Sequence, residues 1–85
     1  MSKIEKMTAR LKSRPTDYTY TEAKALLLHL GYTESNKGKT SGSRVKFFKE
    51  ETKKMILLHK PHPGDIMKMY QVRELIETLE ESGEL

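Results

Sequence analysis

The groups best suited to chemistry in this chain of 85 residues are two imidazoles, His59 and His62, set three apart in His59-Lys60-Pro61-His62-Pro63. An imidazole without strong neighbours titrates near 6.5, so either one can take or give a proton around neutral pH. Cations stand upstream, in Gly38-Lys39-Thr40-Ser41-Gly42-Ser43-Arg44-Val45-Lys46-Phe47. From Lys37 to Lys60 eight basic residues meet only Glu50 and Glu51, a local charge of +6. Such a strip suits a polyanion, because cations seated on phosphates release counterions and make binding salt-dependent. A solvated lysine-rich surface kept for solubility has the same composition. The histidine segment also suits a rigid turn whose imidazoles cap backbone carbonyls. With Asp65 the two histidines could furnish three ligands to zinc, but the prolines stiffen the spacing and the chain has no cysteine, so no metal or other cofactor is expected. The Gly38-Lys39 pair lacks the upstream glycine of a nucleotide-binding P-loop.

Local sequence predicts the elements that must hold these groups. Ser2-Lys3-Ile4-Glu5 has capping-box spacing, and Ile4, Met7 and Leu11 follow at helical intervals until Arg14-Pro15 opposes continuation. This short amphipathic segment, residues 1–15, is expected to lean on the remaining domain, residues 16–85, or on a partner; a homodimer through Ile4, Met7 and Leu11 is one option. A second box, Thr19-Tyr20-Thr21-Glu22, opens a helix whose Ala23, Leu26, Leu27 and Leu30 share a face and which Gly31 terminates. His29 sits on its surface near the C-terminus. Tyr32 to Asn36 reads as a first strand and residues 37–42 as a polar hairpin loop. Ser43 to Lys49 alternates, with Val45 and Phe47 on one face and Arg44, Lys46 and Phe48 on the other. After a charged turn, Met55 to His59 forms a third strand, apolar on both faces and therefore expected to be central or partly covered. Pro61, Pro63 and Gly64 break the chain before a last helix built on Met69, Val72, Leu75, Ile76 and Leu79 and ending near Gly83. Core packing is the expectation for Phe48 and Tyr70, with base stacking as the alternative.

Composition narrows the possibilities. One compact domain is the size limit, and with 35% hydrophobic and 33% charged residues its core is thin, which disfavours a large enzyme pocket. The longest apolar runs, Ala25 to Leu28 and Met55 to Leu58, are four residues long, too short for a membrane span or a secretory leader. With cysteine absent, a soluble cytoplasmic protein is the expectation. The first 73 residues hold sixteen basic and seven acidic residues, a charge of +9, whereas every charged residue after Arg73 is a glutamate: Glu74, Glu77, Glu80, Glu81 and Glu84. Those glutamates would repel a polyanion, so the last helix is expected behind the sheet.

An α+β chain with the order α-β-β-β-α, an added N-terminal helix and helices over one face of a three-stranded antiparallel sheet has the outline of a double-stranded-RNA-binding domain. Together, the segment from Gly38 to Phe47, the segment from Leu58 to Pro63, and Tyr70 with the final helix resemble the HicA family of toxins, over about Asp17 to Gly83. The resemblance implies a small ribonuclease of a bacterial toxin–antitoxin module, which cleaves messenger RNA and is silenced by a HicB-like antitoxin. Many members carry Gly-Ser-His on the second strand, with catalysis assigned to that histidine. Here the matching residues are Gly42-Ser43-Arg44, and an arginine stabilises charge but does not accept a proton near neutral pH.

A metal-independent ribonuclease needs a base for the 2′-hydroxyl, an acid for the leaving 5′-oxygen and cations for the phosphorane. A hairpin about the Lys49 to Lys54 turn would bring the His59 end of the third strand beside the Arg44 end of the second. The roles expected are therefore His59 or His62 as the acid–base group and Arg44 with Lys46 as the phosphate clamp. Lys37, Lys39, Ser43 and Lys60 would hold the RNA backbone. Two other functions fit the same residues: an RNA-binding module without nuclease activity, and a protein-interaction domain working through its first and last helices.

Overall fold

A computed structural model of the chain describes residues 2–35, 44–61 and 64–85. In order, its elements are α1 (Lys3–Lys12), α2 (Tyr20–His29), β1 (Thr33–Ser35), β2 (Arg44–Lys49), β3 (Lys54–His59) and α3 (Met69–Glu81). Both capping boxes form: Ser2 with Glu5 opens α1, and Thr19 with Glu22 opens α2. Gly31 ends α2 at a φ of 100°, which lets Tyr32 N–H donate to the Leu27 carbonyl at 2.9 Å. That bond and the one from Gly31 N–H to Leu28 close a Schellman motif, which turns the chain directly into β1. The same device at Gly83, φ 78°, turns Glu84 back toward the sheet, with Glu84 N–H on the Leu79 carbonyl at 2.8 Å.

The strands form an antiparallel meander in the order β1-β2-β3. One face of the sheet carries Val45, Phe47, Ile56 and Leu58 into the core, against Leu26 and Leu27 of α2 and Val72, Leu75, Ile76 and Leu79 of α3. The other face, with Arg44, Lys46, Met55, Leu57 and His59, is exposed. The third strand therefore departs from expectation. It is an edge strand rather than a central one, and Met55 and Leu57 are 52% and 50% exposed. Both helices that touch the sheet lie on the same side, so among the described residues the apolar pattern on the other side of β3 has no helix over it. Phe48 shares that open face and is half-buried, while Tyr70 is 46% exposed, so neither belongs to the core cluster. The aromatic share of the core comes instead from Phe47 and from Tyr18, Tyr20 and Tyr32.

The stripe of α1 is used inside the chain. Leu11 is fully buried, Ile4 and Met7 pack on the same cluster, and α1 rests on α2 and α3. Arg10 clasps α1 to the start of α2, bonding Glu22 through Nε and through Nη2 (3.1 Å), and reaching Asp17 Oδ1 at 3.2 Å. Its guanidinium also lies over the Tyr18 ring, 5.8 Å from the centroid. The Arg10 hydrogen bonds hold the Glu22 carboxyl below the usual carboxylate range, against a smaller opposing effect of burial.

Candidate nucleic-acid interface

Strand register decides which charged side chains meet. Arg44 is the direct cross-strand partner of His59, and Lys46 that of Leu57. His59 N–H points away from β2 and donates to Gln71 Oε1 at 2.9 Å. The Arg44–His59 pair is therefore of the non-hydrogen-bonded kind, in which opposed side chains approach more closely than in the alternate pairs. Both stand on the exposed face, and Lys46 lies two residues along β2 on that face, so a guanidinium, an ammonium and an imidazole share one open surface. Lys60, also exposed, follows β3 and borders a shallow groove of about 390 Å³ with Lys24, Thr21 and Leu28 of α2. Lys37, Lys39, Ser43 and His62 lie outside the described residues, so the Gly-rich approach to Arg44 and the second imidazole are not placed.

Gln71 escaped the sequence reading although its signal was there. It precedes Leu75 by one helical turn and so lies on the buried stripe of α3, where it is 6% exposed and is the one buried polar residue among those described. A buried amide needs partners, and here its oxygen fixes the end of β3 and with it the position of His59.

Not every cation of the basic strip serves this face. Lys49 lies on the opposite side of β2 and bonds Glu84 Oε2 at 2.5 Å, under the hydroxyl of Tyr32, which donates to Glu84 Oε1 at 2.8 Å. Lys53 pairs with Glu50 in the turn. Glu84 is thus engaged, contrary to the expectation of five uncompensated glutamates. Burial alone would raise its carboxyl, but hydrogen bonds from Lys49, Ser82 and Tyr32 hold it below the usual carboxylate range. Burial, then the bond to Glu84, raises the Tyr32 hydroxyl above its ordinary value. Asp65, weighed as a zinc ligand, instead accepts from the Thr21 N–H at the start of α2, at 3.2 Å. No three His, Asp or Glu residues cluster for a metal ion among the described residues. Nor is any described helix long and apolar enough to cross a membrane.

No curated protein and no solved structure matches this chain. A family model does: that of the HicA toxin of bacterial toxin–antitoxin systems, over residues 20–82. The match begins at α2 and runs through the sheet to the end of α3, leaving out α1. The α-β-β-β-α core with its antiparallel sheet is in keeping with the double-stranded-RNA-binding-like fold of that family. By sequence match and by architecture together, the chain belongs to the HicA family of toxins.

Proposed function

We propose that this toxin acts by cutting messenger RNA without a metal ion, at the Arg44–His59 end of the open sheet face, and that a HicB-like antitoxin silences it by covering that face. The observation that carries the reading is the direct pairing of Arg44 with His59 across β2 and β3, on a surface no described helix covers. Arg44 and Lys46 supply paired positive charge for the scissile phosphate, where charge accumulates in the phosphorane. The imidazole of His59, whose backbone is held by Gln71, serves one proton transfer: removal of the 2′-hydroxyl proton or protonation of the leaving 5′-oxygen. Lys60 extends the seat for the ribose-phosphate chain, and the remaining proton transfer is assigned to His62. Arg44 stands where many members carry histidine, so proton transfer moves to the neighbouring strand while the cation stays on β2.

The test is induced expression without antitoxin. Growth should arrest and messenger RNA fragment, and Arg44→Ala or His59→Ala should relieve the arrest with the fold unchanged by circular dichroism. If both variants remain fully toxic, the site is elsewhere. The replaced histidine also favours a second reading, an RNA-binding module that no longer cleaves. A gel shift that weakens steeply with salt while the purified protein leaves the RNA whole would select it.

A further inference from the structure

Among the described residues, β3 pairs on one side only, with β2. Because His59 N–H is directed outward to Gln71 and pairing alternates along an antiparallel ladder, Leu57 and Met55 also turn their N–H and C=O groups away from β2. Neither finds a backbone partner among the described residues. Beside this edge runs a groove of about 400 Å³, bounded by β3 on one side and by Tyr70, Glu74 and Thr78 of α3 on the other. Exposed edges are ordinarily blunted by charge, proline or a bulge. Among the described residues this one is closed only at its ends, by Lys54 and by Gln71, and carries two half-exposed apolar side chains between them.

The geometry points to β-strand addition: an extended segment of the antitoxin lies along β3 as a fourth strand, bonded to the outward groups of Met55 and Leu57. This rests on the proposed function only in taking the toxin's partner to be a protein. Side chains of the segment on the open face meet Met55 and Leu57 and are apolar, and those entering the groove face Glu74 and Thr78 and are basic or hydroxylated. A second copy of this chain fits less well. Antiparallel pairing of two β3 strands about Leu57 would set Lys54 of each copy against Lys60 of the other and bring two acidic α3 faces together. A strand seated on this edge ends beside His59, so the body that carries it covers the Arg44–His59 pair.

The experiment uses the full chain and a purified HicB-like antitoxin, to be sought in the reading frame beside its gene, with amide hydrogen exchange followed residue by residue. Ile56 and Leu58 amides, bonded to β2, should exchange slowly with or without the second protein, and the Met55 and Leu57 amides should slow at least tenfold when it binds. A complex that leaves Met55 and Leu57 exchanging as before overturns strand addition and spares the toxin–antitoxin reading. Failure of any complex to form overturns both. Independently, Leu57→Pro removes one outward N–H and no bond to β2, a change edge strands tolerate. It should bind the second protein about tenfold or more weakly than Leu57→Thr, which keeps the N–H. Equal affinities for the two variants would overturn the proposal. Persistent protection of Ile56 and Leu58 reports that Leu57→Pro is folded, and if it is not, the exchange measurement on the unaltered chain decides.

Discussion

Adjacent residues of β2 lead opposite lives. Phe47 is fully buried beneath α2 and α3, whereas Phe48, next along the strand, sits half-covered on the open face with Lys46 and Met55. The two ends of the same strand differ as sharply. At one end Lys49 is tied to Glu84 under Tyr32, and at the other Arg44 faces His59 on an uncovered surface. A basic residue on this hairpin thus points to the core side or to the open face according to strand parity, and on the core side Lys49 is held by the carboxylate of Glu84. The count of positive charges does not tell the two apart.

The largest expected effect breaks the comparison between faces. Phe47→Ala should destabilise the fold by about 3–5 kcal/mol, much of the net stability of a domain this small, whereas Phe48→Ala should cost under about 1.5 kcal/mol. Urea denaturation of the two variants checks the contrast, and comparable losses would mean that the open face is covered in solution. At the Arg44 end, where the proposed site lies, His59→Ala should lower the cleavage rate by about 10²–10⁴-fold and leave the urea midpoint nearly unchanged, since the bond to Gln71 is made by the backbone. A stability loss as large as that of Phe47→Ala would recast His59 as a structural residue.

How far the sequence disclosed this arrangement depends on the kind of signal each element carries. α1 and α2 were legible because both open with a capping box, a local hydrogen-bond pattern written in four residues. β2 was legible because Val45 and Phe47 alternate with Arg44 and Lys46, and the Arg44–His59 pairing followed from the turn between the strands. β3 misled because Met55-Ile56-Leu57-Leu58 has no alternation, and continuous apolar character does not distinguish a strand covered on both sides from an edge awaiting a partner. The Lys49–Glu84 bond joins residues 35 apart and forms only because Gly83 turns the chain back after α3, a tertiary event without a pairwise sequence signal.

That bond gives a smaller and pH-dependent effect at the structural end of β2. Glu84 titrates lower in the folded protein than in the unfolded chain, so as pH falls the unfolded chain takes up its proton first. The stabilisation is therefore whole above the ordinary carboxylate range near 4.3 and disappears as pH drops through the lower folded value. Glu84→Gln should cost roughly 1–3 kcal/mol at pH 7, and the gap should shrink as pH falls below the carboxylate range and Glu84 itself becomes neutral. Thermal melts of the pair across this range check it. A gap that persists undiminished in acid would mean that Glu84 contributes by packing and not by charge.

Lys46 sharpens the other half of the comparison with the smallest effect. It shares the open face with Arg44 but, unlike Lys49, is exposed, so its removal should leave stability within about 0.5 kcal/mol. If it seats a phosphate, each contact removed from a single-stranded RNA takes about 0.7 from the slope of log affinity against log salt. Lys46→Ala should show that reduction in slope, and Lys49→Ala, provided it folds, should not, because its ammonium lies on the far side of the strand beside Glu84. Equal slopes for the two variants would place the RNA around the whole hairpin and remove the distinction between its ends on which the site assignment rests.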